Sequence, residues 1–243
     1  MSGLSEASSE NFARSMIPLY HNACVTIRIS SSDHEYKVSK DLLCRESKYF
    51  SAMFEGKFKE GVQQTAILEE VEGIVSVQSL EAFLQWIYLG KFKFDLNQLE
   101  HHITATIELA RFADMCNVSE MATQIGQYLK DILVANPCLE HAYGFSGFPV
   151  DTCCLTSQHI ISATFLPQGH VIRRILAAVS SNDYLLCENH KFAEVAREYP
   201  NYGFDLLQEV GLALKGLRLE NRYAIHKDPI TGETRSIHGF RSS

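Results

Sequence analysis

Five side chains between Cys138 and His159 are of the types that bind zinc: Cys138, His141, Cys153, Cys154 and His159. Thiolate sulfur and imidazole nitrogen are the usual tetrahedral ligands of that ion. The spacing argues against a site. Cys-x-x-His followed by two adjacent cysteines matches none of the common paired-ligand patterns, because neighbouring side chains seldom converge on one centre. Buried structural thiols and surface histidines account for these residues. Gly144-Phe145-Ser146-Gly147-Phe148 approximates a nucleophile elbow, yet Phe148 stands where the second glycine is required. The chain has no Gly-rich phosphate loop, no HExxH helix and no acidic calcium loop. Its remaining Asp, Glu and His pairs fit solvated faces equally well. The expectation is a protein that is not an enzyme and holds no cofactor and no metal.

A different chemistry, recognition, is suggested by Glu46 to Gly61, ESKYFSAMFEGKFKEG. Tyr49, Phe50, Met53 and Phe54 repeat at helical spacing and form one apolar stripe on a short helix, with Ser47 as its N-cap and Gly56 as its stop. Lys57 to Gly61 then reads as a polar turn in which one large aromatic sits among charges. Phe58 is either a core contact at a loop or, with Glu60, a short element presented to another protein.

The surrounding chain must supply the frame. At 243 residues and 46% hydrophobic content it can bury a sizeable core, as one large domain or two small ones. A net charge of −7 argues against a surface that neutralises phosphates, so no nucleic acid is expected as partner. The apolar runs are short and interrupted, and MSGLSEASSENFARS lacks the flank and core of a secretory signal, so no membrane contact is expected and the protein is read as intracellular, cytoplasmic or nuclear. Seven scattered cysteines fit a reducing compartment, most of them free and buried. Arg173-Arg174 is too short a basic run to argue nuclear import.

Taken in order, residues 1–19 form a flexible Ser/Glu-rich segment in which Phe12, Met16 and Tyr20 share one face at i, i+4 and i+8, interrupted by Pro18. Cys24 to Ser30 alternates like a half-buried strand, and Tyr36 and Val38 continue it as a hairpin. KDLLCRES reads as a short helix, and Thr65 to Glu70 as a short strand. A helix follows with Val77, Leu80, Leu84 and Ile87 inward, closed by Gly90. Asp95 with Gln98 would cap the next helix, through Leu99, Ile103, Ile107 and Ala110. Another runs from Ser119 to Asn136. Residues 136–155 change texture and read as a connector. Beyond it lie only helical patterns over 156–221: Thr156 to Leu166, His170 to Ser181, Lys191 to Tyr199 and Phe204 to Leu219. Residues 222–243 are read as a disordered tail.

The first block, residues 20–135, resembles the BTB/POZ domain over roughly Cys24 to Leu133. The resemblance is carried by CVTIRI, YKVSKDLLCRESKYFSAMF, LEAFLQWIYLGKF and IELARFADMCNVSEM in the family's order. It implies an α+β protein: a three-stranded sheet flanked by helical hairpins, followed here by an all-helical C-terminal domain that is similar to those of short fungal BTB proteins. It also implies homodimerisation and a role in assembly without catalysis. Many members bind a cullin-3-type ubiquitin-ligase scaffold through an apolar-x-Glu element after the second helix, the place of Phe58-Lys59-Glu60. Phe58 would fill an apolar pocket and Glu60 accept hydrogen bonds. In relatives the N-terminal segment often joins the two-fold interface, so Phe12, Met16 and Tyr20 are either dimer contacts or part of a frayed tail. Two positions depart from the pattern. Cys24 replaces an acidic residue of the first strand and Ser39 replaces the histidine before Lys40, so the charged pocket that zinc-finger relatives use for co-repressors is incomplete. The expected function is a substrate adaptor for a cullin ligase with an unknown client; the alternative is an oligomerising scaffold or regulatory protein without a cullin.

Overall fold

A computed structural model of the chain describes residues 20, 23–136, 154–186, 190–220, 223–228, 230 and 232–237. Its elements run β1 (Cys24–Ile29), β2 (Glu35–Ser39), α1 (Lys40–Glu46), α2 (Lys48–Glu55), α3 (Lys59–Gln63), β3 (Thr65–Leu68), α4 (Val77–Leu89), α5 (Leu99–Met115) and α6 (Glu120–Ala135). Then follow α7 (Ser157–Ala163), α8 (Val171–Leu186), α9 (Ala193–Glu198), α10 (Pro200–Lys215), β4 (Arg218–Glu220), β5 (Tyr223–Lys227) and β6 (Thr234–Ile237). The fold is α+β.

The described residues form two compact units. One holds those up to Asp95 together with Glu108–Gln124; the other holds Leu96–Ile107 and those from Ile125 onward. The division therefore does not fall at the expected connector, most of which lies outside the described residues. It runs through α5 and α6, each of which carries a stripe of buried apolar residues, from Ile103 to Phe112 and from Met121 to Leu133. A continuous apolar stripe leaves no break at which a sequence pattern could mark a boundary.

In the first unit β1 is central, antiparallel to β2 and parallel to β3, in the order β2-β1-β3. The alternation Val25, Ile27, Ile29 sends those three side chains into the core, as a period of two requires. Leu42 and Leu43 of α1, Phe50 and Phe54 of α2, and Leu80 and Phe83 of α4 are likewise fully buried. The aromatic core is a chain of contacts, with Phe50 near Phe54 and Phe83, and Phe83 edge-on to Phe112 at 5.2 Å between centroids. Helix α4 opens with a reciprocal Ser76/Ser79 capping box and closes on Gly90, whose φ of 67° is the left-handed conformation that glycine adopts without strain. Asp95 does not cap α5: it pairs with Lys93 at 3.2 Å, and the Gln98 carbonyl accepts the His102 N–H instead.

Ser47 is the junction of this unit. Its hydroxyl accepts the Phe50 N–H at the start of α2 and donates at 2.7 Å to the Cys116 carbonyl at the end of α5, with no exposure to water.

The second unit is mainly helical. Val171 at the head of α8 lies against Gly126 of α6, where a Cβ would stand 2.6 Å from the valine methyl. Arg173 is buried and each of its side-chain nitrogens donates: Nε to Asp205 Oδ2 on α10 at 2.7 Å, Nη1 to the Leu166 carbonyl and Nη2 to the Asn201 carbonyl. Two expectations are corrected here. The last helix ends at Lys215, not Leu219, where β4 follows, and the segment read as a disordered tail holds β5 and β6, which complete an antiparallel meander β4-β5-β6. The C-terminal region is thus helical with a small added sheet. Asp228 shapes the β5–β6 turn. Its carboxylate accepts the Ile230 N–H, its own N–H donates to the Glu233 carbonyl, and its carbonyl accepts the Gly232 N–H. Asx-type bonding and the positive φ of Gly232 make a turn from residues whose composition alone suggests disorder.

Replacing Ser47 by Ala is expected to lower the stability of the folded chain by about 1–3 kcal/mol, since it removes a cap and leaves the Cys116 carbonyl buried without that donor. The shift of the urea unfolding midpoint against wild type measures it.

Candidate interaction surface and the Cys/His cluster

Helix α2 ends at Gly56, whose N–H donates to the Ala52 carbonyl. The chain then passes through Lys57 and Phe58 into α3, which covers Lys59–Gln63 where a polar turn was expected. Gly61 is the reason. A Cβ there would lie 2.7 Å from the Gly56 carbonyl oxygen and 3.2 Å from those of Met53 and Phe54, so only glycine lets α3 approach the carbonyl end of α2 this closely. Gly56 is equally constrained, because a Cβ would overlap the Ala52 carbonyl oxygen and reach the Phe58 ring at 3.0 Å. Gln64 closes α3 in the left-handed conformation, and its side-chain amide donates to the Phe54 and Gly61 carbonyls. Its own carbonyl accepts the Thr26 N–H at 2.9 Å, which ties the loop to the central strand.

This frame holds Phe58 out in solvent with 61% of its surface exposed. Phe58 is therefore not a buried core residue. Glu60 sits half-buried in the first turn of α3. Val62, a turn beyond Phe58, is 81% exposed and extends the apolar patch; its i+4 spacing from Phe58 was the signal that sequence reading passed over once the segment was read as a turn. Tyr49 of α2 faces the same region. Burial raises its phenol above the usual tyrosine range, and the Cys116 sulfur and Glu60 carboxylate add to the rise.

Of the N-terminal face, Phe12 and Met16 lie outside the described residues. Tyr20 is 39% exposed and packs on Tyr88 at 6.0 Å between centroids; the Tyr88 hydroxyl in turn accepts the Ser39 N–H. Ser39 is buried and caps α1 through the Leu42 N–H, so the position that departs from the family pattern is occupied by a structural cap. Cys24 is exposed.

Of the zinc-type cluster, Cys138, His141 and Cys153 also lie outside the described residues. His159 is not a surface histidine as expected: it is 3% exposed and both ring nitrogens are engaged. Nδ1 accepts the Thr156 N–H at 3.1 Å, so Nε2 carries the proton and donates at 2.9 Å to Thr104 Oγ1, which donates to the Glu100 carbonyl. A side chain locked in this tautomer is a helix cap. Among the described residues no group of three or more His, Cys, Asp or Glu could hold a metal ion. Of the four described cysteines only Cys116 is buried, where most were expected to be; Cys44 and Cys154 are intermediate and Cys24 is exposed. Burial pushes the Cys44 thiol up to about 11, with Glu55 adding and Lys40 opposing, and raises that of Cys116 further still. Both stay protonated near neutral pH and make poor nucleophiles.

An exposed apolar-acidic patch on a glycine-built frame is the kind of surface that a protein–protein interaction module presents. Within that class the chain carries a BTB/POZ domain: comparison with protein-family models matches that family over residues 19–131. No curated protein matches the chain. Among the described residues no helix is long and apolar enough to cross a membrane.

Two outcomes are expected here. Gly61→Ala, which would stabilise an ordinary helix, should instead destabilise by about 1–3 kcal/mol through overpacking, seen as a lower thermal midpoint. For His159, burial lowers the imidazole pKa below its usual 6.5, Glu100 opposing and Lys191 reinforcing. Below pH 6.5 the unfolded chain therefore takes up a proton that the folded chain resists. The stabilisation is complete above that pH and is lost as pH falls towards the lowered folded value. Urea midpoints measured from pH 7.5 to 5.5 should fall with pH in wild type and fall less in His159→Gln.

Proposed function

We propose that the chain is a substrate adaptor for a cullin-3-type ubiquitin ligase, with Phe58 as apolar anchor and Glu60 as hydrogen-bond acceptor. The observation that carries the reading is an exposed Phe58 beside a half-buried Glu60 on a glycine-built frame. A partner that covered Phe58 would remove its exposed apolar surface from water, and a few such aromatic anchors can dominate an interface. The position of the pair after the second helix matches the element that the family resemblance implies. The protein acts inside the cell as a homodimer, with Tyr20 and the segment before it contributing to the contact. The scaffold reading, self-association without a cullin, rests on Tyr20, whose remaining exposed surface could meet a second copy.

The test is titration calorimetry of the full chain against the N-terminal domain of a cullin-3-type scaffold. Wild type should bind, and Phe58→Ala and Glu60→Ala, both of unchanged stability, should each weaken binding by about tenfold or more. Folded wild-type protein that shows no heat of binding overturns the adaptor reading and leaves the scaffold one.

A further inference from the structure

We propose a second docking site, on the outer face of α10, that takes an acidic amphipathic helix from another protein. Pro200–Lys215 carries two apolar faces. Tyr202, Leu206, Val210 and Ala213 point into the unit, while Phe204, Leu207 and Leu214 are exposed, Leu207 to 63%. Together with Gly211 these last three fall at i, i+3, i+7 and i+10, a single stripe facing water. Beside it a shallow groove of about 460 Å³ runs between Arg174 of α8 and α10, with Leu207, Gly211 and Leu212 among its walls and Lys215 at one end.

Gly211 is the informative residue. Glycine inside a helix is destabilising relative to alanine. Elsewhere in this fold a helical glycine has a visible reason: a Cβ at Gly61, Gly126 or Gly203 would collide with a neighbour at under 3 Å. At Gly211 a Cβ would meet nothing within 4 Å. The fold itself gives no reason for the residue, whereas a second backbone lying along the stripe would. Small residues let helices approach closely, and the flanking leucines would grip the visitor on either side.

Charge selects the visitor. Arg174 is mostly exposed and reaches Glu209 only at 3.6 Å, and Lys215 carries a second positive charge at the groove's end. Glu209 also lines the groove and pairs with Arg174, but it is largely covered, so the exposed charges among the lining residues are the two cations. Carboxylates set beside apolar anchors match this pattern. A second copy of the chain would bring the same two cations onto each other. An anionic membrane would be met by more basic residues than these two and by a convex face.

The experiment is selection of a displayed library of helical peptides on the full-length protein, followed by affinity measurement of the enriched peptides. Enrichment of sequences with Leu, Phe or Met anchors flanked by Asp or Glu is expected. Their binding should weaken about tenfold or more in Leu207→Glu and in the Arg174→Glu/Lys215→Glu double variant, each checked for unchanged circular dichroism. Gly211→Ala should raise the melting temperature yet weaken the same peptides. The proposal is overturned by any of four results: no enrichment on folded protein; enriched peptides indifferent to Leu207→Glu or to the charge reversals; a dimer dissociated by Leu207→Glu in sedimentation equilibrium; or phosphatidylserine vesicles bound through Leu207. Gly211→Ala that melts higher and binds unchanged overturns the close backbone approach.

Discussion

One buried hydroxyl holds the first unit to its working geometry. Ser47 closes the N-terminus of α2 and the C-terminus of α5 with a single side chain, accepting from one helix end and donating to another. Helix ends are where backbone groups lack intrahelical partners, and in a dry core each orphan is costly. Because the oxygen must satisfy both, α2 cannot slide against α5 without losing a bond. The start of α2 being fixed, its end at Gly56 is fixed as well. From there the glycine contacts of α3 fix Phe58. Position is thus transmitted from a buried serine to an exposed phenylalanine through steric and hydrogen-bond constraints alone.

The second unit uses polar groups in the same way. Arg173 joins α10, the Leu166 carbonyl and the Asn201 carbonyl through one planar guanidinium, whose fork of donors suits several acceptors at once. His159 joins the head of α7 to Thr104 through a defined tautomer. Removing one partner from such a set leaves a buried charge or donor unmet, so these residues enforce one arrangement of helices rather than simply adding stability. The side-chain nitrogens of Arg173 and His159 are thus already bonded to the fold.

Two surfaces are left exposed by these constraints. Phe58, Val62 and Glu60 in one unit, and the Leu207–Gly211 stripe in the other, are places where the packing rules that govern the interior are obeyed up to the surface and then left without a partner. Both depend on glycine, for opposite reasons. Gly61 is demanded by a neighbour present in the chain. Gly211 has no such neighbour.

The local chemistry of the chain was readable from its order. The period-two run Val25, Ile27, Ile29, the Ser47 cap, the Gly90 stop and the helices α4 to α6 each depend on neighbours a few residues away, and each was found where expected, although the buried face of α4 is Leu80, Phe83, Trp86 and Ile87, with Val77 and Leu84 part-buried. The Phe58/Glu60 pair could be named from sequence for the same reason. Its exposure could not, because that depends on Gly61 meeting carbonyls of a different helix. Tertiary structure also decided that His159 is a buried cap, since Thr104 lies far away in the chain. The β5–β6 hairpin was missed because residues 222–243 carry too few periodic apolar side chains to announce strands; pairing between segments and the bonding of Asp228 supply what composition does not. The unit boundary within α5 and α6 was hidden too, because a helix with a buried apolar stripe shows the same pattern whichever neighbours cover it. Sequence fixes what neighbours along the chain can satisfy; contacts between distant residues decide what is left over for a partner.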